Sequence, residues 1–451
     1  MKIVVIGDGK VGQAIVEHTC QEGHEVVVID KNPNVIETLV NQYDVMGVCG
    51  NGASYEIQNS AGSNKADLVV AATSSDETNV LSCMIAKKLG AKSTVARIRS
   101  YEYNAQINKM KRDFGITMTI NPEKEAALEI MKIINFPEAI RVDTFAKGNV
   151  DLVELYIPED SPLIGQTLAM IHQTYQVKVL VCAVQRNEEV FIPTGSFTFQ
   201  AKDKVHITAS RSSVRQFLNK LGLIESKIKS VMIIGGGKIA LYLGEALLKS
   251  KYQVKIIEKD YNRCLELSEL LPNATIIHGN GSDQRILDEE GLTNSDAIVS
   301  LTGMDEENII ISMYAYKQNV HKIITKVNKA SLIGLVDSLT MVSTISPKEI
   351  TASRIVSYIR ATNNSRGNNV ITLYKLVNNQ VEALEFKANE RSKALNISLK
   401  NLKLKNNLLI ASIIRDGEVI IPSGDSCIQT NDSVIVVTTN PYLDELDDIL
   451  E

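Results

Sequence analysis

The sequence predicts an α/β protein built from two doubly wound parallel sheets, each followed by a small α+β domain. Three observations carry this. A short β-branched apolar run at residues 2 to 6 leads directly into Gly7, Gly9 and Gly12, spaced G-x-G-x-x-G, and then into an amphipathic helical pattern. The arrangement recurs 228 residues later, where Gly235, Gly237 and Ala240 follow the run at 231 to 234. In each copy strand-like runs alternate with helical patterns before giving way to short alternating segments with turn signals.

Taking the elements in order, the first glycine permits a tight turn, the second lets backbone approach a pyrophosphate, and the third lets helix and strand pack closely. The helix from Val11 to about Glu22 offers its unpaired N-terminal N–H groups and a partial positive charge to phosphates. A second strand, residues 25 to 29, ends at Asp30, where an acid can accept hydrogen bonds from ribose hydroxyls. Glu258 holds that place in the second copy, and Ala240 is the small residue tolerated at the third glycine. Strand, turn, helix, strand and terminal acid in this order predict a Rossmann-like nucleotide-binding unit.

Asn32-Pro33-Asn34 then marks a turn and a helix through about Gln42, followed by a third strand at 45 to 48 and by Gly50-Asn51-Gly52. The second copy has Gly279-Asn280-Gly281 at an offset of 229, one residue having been gained. A fourth strand runs into Thr73-Ser74 and Asp76-Glu77-Thr78-Asn79, matched by Thr302-Gly303 and Asp305-Glu306-Glu307-Asn308. The fifth strand ends in Arg97 in one copy and Lys326 in the other, and prolines at 122 and 347 mark the next helix starts. In the small domains Arg186, Ile192-Pro193 and Asp203 pair with Arg415, Ile421-Pro422 and Asp432. The expected boundaries are a nucleotide-binding domain at 1–120, a crossover helix at 121–140 and a small domain at 141–224. The second half repeats them at 229–345, 346–361 and 370–451, with a surface loop expected at 363–369.

The 451 residues are too many for one core. Apolar and charged fractions of 44% and 22% are ordinary for a globular chain, and a net charge of −5 gives no basic footprint for nucleic acid. Six scattered cysteines without C-x-x-C read as reduced thiols of a cytosolic protein. A strand starting almost at Met1 is expected to leave no room for a signal peptide, and no apolar run reaches the roughly 18 residues of a spanning helix.

On these residues the chain resembles the TrkA family, the cytosolic regulatory subunit of Trk/Ktr-type potassium uptake systems. The resemblance covers essentially the whole chain. Each half is similar to an RCK (KTN) unit, with a nucleotide-binding N-lobe, a crossover helix and a small C-lobe. It implies a homotetramer forming a gating ring beneath a membrane potassium channel or transporter subunit of the TrkH, TrkG or KtrB kind. It also implies that bound NAD(H) or ATP/ADP sets the conformation of that ring.

The residues expected to contact nucleotide are Gly7, Asp8, Gly9, Lys10, Val11, Gly12, Asp30, Asn51, Gly52, Thr73, Ser74 and Arg97 in the first copy. In the second they are Gly235, Gly236, Gly237, Lys238, Ile239, Glu258, Asn280, Gly281, Thr302, Gly303 and Lys326. Arg97 and Lys326, at the ends of repeated strands, read as phosphate or effector contacts, while Lys10 and Lys238 equally suit a solvated helix start. Both terminal acids repel a 2′-phosphate and disfavour NADP(H). Asp76-Glu77 and Asp305-Glu306-Glu307 read better as acidic helix starts than as divalent-cation sites. An NAD-dependent oxidoreductase is the alternative function, but hydride transfer needs a proton donor or acceptor beside the substrate. No tyrosine has a lysine four residues on. His18 and His24 flank the first helix, His172, His206 and His278 are not repeated in the other copy, and all five read as surface or packing residues.

Overall fold

In a computed structural model of the chain, all residues are described except 146–149, 188, 223–227, 338–341, 365–369, 377–379, 441, 442 and 444. The first half opens with β1 (Lys2–Ile6), α1 (Lys10–Gln21), β2 (Glu25–Asp30), α2 (Pro33–Gln42), β3 (Met46–Cys49) and α3 (Tyr55–Ser60). It continues with β4 (Leu68–Ala71), α4 (Asp76–Leu89), β5 (Ser93–Arg97), α5 (Tyr101–Met110) and β6 (Met118–Ile120). These strands form one parallel sheet in the order β3-β2-β1-β4-β5-β6. The order reverses between β1 and β4, which opens a crevice at their carboxyl ends.

α6 (Pro122–Asn135) leads into β7 (Ala139–Phe145), β8 (Val150–Tyr156), α7 (Leu168–Tyr175), β9 (Leu180–Arg186), β10 (Glu189–Phe191), β11 (Lys204–Ala209) and α8 (Arg211–Lys220). Their antiparallel sheet has the order β10-β9-β11-β8-β7. α6 stops at Asn135, short of the expected residue 140. Phe136 precedes Pro137, whose ring disfavours a helical conformation there, and the chain turns into β7. Ile224, the expected end of this domain, lies outside the described residues.

The second half repeats the plan: β12 (Ser230–Ile234), α9 (Lys238–Lys249), β13 (Gln253–Glu258), α10 (Tyr261–Leu270), β14 (Thr275–His278) and α11 (Gln284–Glu289). Then come β15 (Ala297–Ser300), α12 (Asp305–Lys317), β16 (Lys322–Lys326), α13 (Ala330–Asp337) and β17 (Val342–Ile345), in a parallel sheet ordered β14-β13-β12-β15-β16-β17. α14 (Pro347–Asn364) runs three residues past its expected end. It takes in the start of the expected loop, whose residues 365–369 lie outside the described residues. The last sheet, β18 (Val370–Leu376), β19 (Val381–Lys387), β20 (Leu408–Arg415), β21 (Glu418–Ile420) and β22 (Ser433–Thr438), has the same topology as the first small sheet.

The repeated Arg and Asp of the small domains form a two-pronged ion pair in each. Arg186 Nε and Nη2 donate to the two Asp203 oxygens at 2.8 Å, and Arg415 makes the same pair with Asp432 at 3.0 and 2.8 Å. Asp203 is fully buried and also accepts the Gln200 N–H. All six cysteines are free thiols, and among the described residues no helix is long and apolar enough to cross a membrane.

The two halves interlock. The apolar face of α6 (Ala126, Ala127, Ile130, Ile133, Ile134) packs in one core with Ala240, Leu243 and Leu247 of α9, on the second parallel sheet. In exchange, Ala352, Ile355 and Ile359 of α14 pack with Val11, Ala14 and Ile15 of α1, on the first. Each connecting helix thus joins its own two domains in sequence but is buried against the other half. Polar contacts fix the exchange: Arg360 to Glu22 at 2.6 Å, His18 to Glu349 at 2.8 Å, and Asn121 Nδ2 to the Tyr242 hydroxyl at 3.0 Å. The small sheets meet through Phe145, Leu152, Cys182 and Ala183 against Val381, Ala411, Ile414 and Val437.

Ile355 is fully buried in this exchanged contact, so Ile355→Ala should cost about 2–5 kcal/mol and lower the thermal midpoint of the whole chain. A cost within about 0.5 kcal/mol, as for a surface substitution, measured by calorimetry, would contradict the docking of α14 on α1.

Candidate functional site

Each parallel sheet presents a crevice framed by the loop after its first strand, the acid ending its second, and the loop after its fourth. In the first loop Gly7 has φ +90°, and a Cβ there would lie 2.8 Å from the Thr73 backbone. At Gly12 a Cβ would stand 2.0 Å from the Gly7 carbonyl oxygen, and at Gly52 it would stand 2.0 Å from Ile6 Cγ2. These three positions hold the frame closed. Gly9 differs, since a Cβ there would meet nothing within 4 Å. Its bare face looks into open space, and Gly237 repeats this.

Glycine at this position leaves the helix uncapped. The other α-helices with a described N-cap are capped by their own Ser, Thr, Asn or Asp, apart from α12, which carries Asp305, Glu306 and Glu307 in its first turn. α1 and α9 have neither a side-chain cap nor an acid in the first turn. Their N-terminal N–H groups and dipole have no side-chain acceptor at the cap, an arrangement that suits an anion.

The acid at the end of the second strand closes over this loop. Asp30 Oδ2 accepts the Asp8 N–H at 2.8 Å and Oδ1 accepts the Asn32 N–H at 2.8 Å. Glu258 does the same with Gly236 at 2.6 Å and Asp260 at 2.8 Å. Each carboxylate oxygen keeps a further lone pair for a hydroxyl donor. Asn51 and Asn280 are occupied in turning their own loops, accepting the N–H groups of Ala53 and Ser282 at 3.1 and 3.2 Å.

On the far side Asn79 is fully buried. Its Oδ1 accepts the Thr73 N–H at 2.8 Å and its Nδ2 donates to the Arg97 carbonyl at 2.9 Å. Asn308 makes the same bonds to Thr302 and Lys326 at 2.8 and 3.0 Å. The Arg97 guanidinium donates to the Ala72 and Thr73 carbonyls, and the Lys326 ammonium to those of Leu301 and Thr302. Burial, ahead of neighbouring charges, lowers both cations from their ordinary values. Arg97 Nε is buried without a partner among the described residues. Ser74 and Gly303 stand exposed at the mouths, Lys10 and Lys238 point to solvent, and Val11 and Ile239 are buried core residues with only backbone to offer.

Asp76 and Asp305 have a role that sequence reasoning missed. The Asp76 carboxylate accepts the Arg99 and Ser100 N–H groups at 2.7–3.0 Å, and Asp305 accepts those of Asn328 and Lys329 at 2.8 and 2.9 Å. They staple the loop after the fifth strand to the start of α4 or α12. Burial raises the Asp305 carboxyl, but the Asn328 and Lys329 N–H groups outweigh it and, with the charge of Lys10, hold it below its ordinary value. Lys10 comes from the other half, and its charge also acts on Lys326.

The copies differ at one corner. Asp8 is replaced by Gly236, and Val35 by Arg263. Burial first, and the Asp30 charge second, push the Asp8 carboxyl up to about 6. Its Oδ1 is buried without a hydrogen-bond partner among the described residues. Arg263 Nε donates to the Gly236 carbonyl at 2.6 Å, while its Nη2 has no such partner.

Known proteins share this plan. The TrkA-N domain profile matches residues 3–122 and 231–347, and the TrkA-C domain profile matches 152–222 and 383–451. The Trk system potassium uptake protein TrkA of Halomonas elongata is 31% identical over 442 residues, 97% of this chain and 95% of that protein. Its namesake in Vibrio alginolyticus is 30% identical over 444 residues, 98% and 96% of the two chains. Among solved structures the GsuK RCK domain has a TM-score of 0.62 at 14% identity, covering 97% of this chain and 92% of that one. The GsuK channel bound to NAD has a TM-score of 0.62 at 14% identity, covering 97% and 76%. At such identities the likeness to these structures is one of fold.

The Asp8 carboxyl gives a pH prediction. Its ordinary value is 3.8 and its folded value about 6, so the folded chain holds the extra proton between them. The stability this gives is complete below the lower value and lost as pH rises through the upper one. Asp8→Asn should therefore match wild type in urea midpoint below about pH 4 and exceed it above about pH 6.5. A difference independent of pH would show that Asp8 titrates normally.

Proposed function

Because the chain belongs to the TrkA family, we propose that it is the cytosolic regulatory subunit of a membrane potassium-uptake system, with nucleotide as its signal. Both crevices then bind NAD(H) or ATP/ADP. The observation that carries this reading is the pair of uncapped helix starts, α1 and α9, each facing an acid at the end of the second strand. A phosphate takes the first-turn N–H groups and the ribose hydroxyls take Asp30 or Glu258. The other crevice residues, from Thr73 and Arg97 to Thr302 and Lys326, shape the wall against which the ligand lies.

The subunit acts by differential binding, since a ligand shifts an equilibrium only by its preference for one state. Nucleotide changes the spacing of the two parallel-sheet lobes, and the exchanged helices pass that change to the small domains as rigid-body motion. Assembly into a tetrameric ring beneath the transporter is supported by a repeated apolar face. Leu81 and Met84 on α4 are 47% and 39% exposed, and their counterparts Ile310 and Met313 on α12 are 60% and 51% exposed. Equivalent patches on both halves suit contacts between copies.

Asp30→Ala removes a charge-assisted acceptor, and such bonds contribute about 1.5–3 kcal/mol. NAD⁺ affinity at the first site should fall at least about tenfold, with the second site retained; unchanged calorimetric affinity would remove Asp30 from the role. Potassium flux tests the function itself. With the chain reconstituted on its transporter, NADH, NAD⁺, ATP and ADP should give different fluxes. Gly9→Glu and Gly237→Glu fill the open face of each loop and should each abolish part of that response. Identical flux with every nucleotide, unaltered in both variants, would overturn the reading.

A further inference from the structure

The corner at which the two copies differ lies beside the acid assigned to the ribose, and its position follows from the second copy. A Cβ at Gly236 would stand 2.5 Å from Leu267 Cδ1 and 3.1 Å from Glu258 Oε2. A side chain at this position therefore enters the space between the glycine loop, the terminal acid and the following helix. In the second copy Leu267 and Glu258 fill that space, and Arg263, one turn before Leu267 on α10, lies beside it and holds the Gly236 carbonyl. In the first copy the place of Arg263 is taken by the uncharged Val35, and Asp8, whose backbone N–H bonds Asp30, carries its carboxyl within the field of Asp30 and beside Gly12. One crevice thus has two carboxylates at this point, and the other has a carboxylate and a guanidinium.

Other charges nearby do not cancel the contrast. Lys10 and Lys238 are equivalent and solvent-facing in the two copies. Tyr43, on which the charges of Glu17 and Asp8 both act, adds no cation to the first crevice. In the second, Glu266 pairs with Arg263 Nη1 at 2.6 Å but is 57% exposed. Asp260 uses its carboxylate to accept the Arg263 backbone N–H at 2.9 Å, where Asn32 caps α2 in the first copy. Arg263 Nη2 is buried without a hydrogen-bond partner among the described residues, and the side chain as a whole is 21% exposed.

We propose that Asp8 and Arg263 make the two crevices discriminate differently against a further phosphate beside the adenosine ribose, the first excluding it and the second tolerating it. This rests on the nucleotide-binding reading above. The first crevice is then a site for ligands with free ribose hydroxyls, in which a 2′-phosphate would meet two carboxylates. The second admits a 2′-phosphorylated dinucleotide, because a guanidinium accommodates that group even though Glu258 opposes it.

NAD⁺ and NADP⁺ differ by this phosphate alone and serve as probes. Calorimetry on the full chain, with Gly237→Glu to isolate the first site and Gly9→Glu to isolate the second, yields a NADP⁺-to-NAD⁺ ratio of dissociation constants at each. The ratio should be at least about tenfold larger at the first site, as a difference of one charge pair in a partly buried corner implies. Exchanging the residues between copies supplies the control. Asp8→Gly should lower the first ratio, and Arg263→Val should raise the second, with NAD⁺ affinity changing less than NADP⁺ affinity in both. Equal ratios at the two sites, or ratios unmoved by the exchange, would overturn the inference while leaving nucleotide binding intact. Absence of NAD⁺ binding at both sites would overturn the binding reading as well.

Discussion

The constraint on which the rest of the structure depends is the exchange of the connecting helices. α6 and α14 each have an apolar face too broad to leave in water, and neither buries it in its own half. Because each is seated on the first helix of the other half's parallel sheet, the two lobes cannot move independently of the small domains. At about 25 cal/mol per Å² of buried apolar surface, the side chains in these two contacts outweigh the polar contacts beside them. The Arg360–Glu22 pair is correspondingly a device of register, since ion pairs withdrawn from water contribute little net stability.

α1 and α9, the helices that receive the exchanged partners, are also the two whose N-termini are bare. The same element therefore faces the crevice with its first turn and the connecting helix with its flank. A ligand that draws the α1 N-terminus toward Asp30 bears on α14 through Val11, Ala14 and Ile15, with no chain of intermediate side chains needed. The influence of Lys10 on Asp305 and Lys326 indicates that the two crevices are electrostatically within reach of each other. On the proposed reading, shared packing and shared field are the routes by which the sites would couple.

Much of this was legible in the sequence because it rests on local rules. The strand, glycine turn, helix and terminal acid at 2–30 and again at 231–258 follow from backbone sterics and from short continuous apolar runs bounded by turn residues. Duplication made each half a check on the other. The paired Arg186 and Asp203 were visible as a repeated spacing, although their ion pair was not. What escaped was long-range. Nothing local distinguishes Ile355 packing on Ala14 from Ile355 packing on its own sheet, because an amphipathic helix declares a buried face and not its partner. His18, expected as a surface or packing residue, is half-buried, and its partner Glu349, 331 residues away, is announced by nothing local. Asp76 is the acidic helix start expected of it, and its carboxylate also accepts two N–H groups of a loop that only the fold brings near.

The central claim is that nucleotide in the crevices changes the spacing of the two lobes. Lys31 and Lys259, exposed at equivalent positions just beyond Asp30 and Glu258, are suited to spin labels once the six native cysteines are replaced. Pulsed electron resonance of the doubly labelled chain measures the distance between the crevices directly. The account predicts one distance distribution without nucleotide and a displaced one with saturating NADH or ATP, the displacement disappearing when Gly9→Glu and Gly237→Glu are combined. A distribution that stays the same with and without every nucleotide, under conditions where calorimetry shows the sites filled, would contradict it.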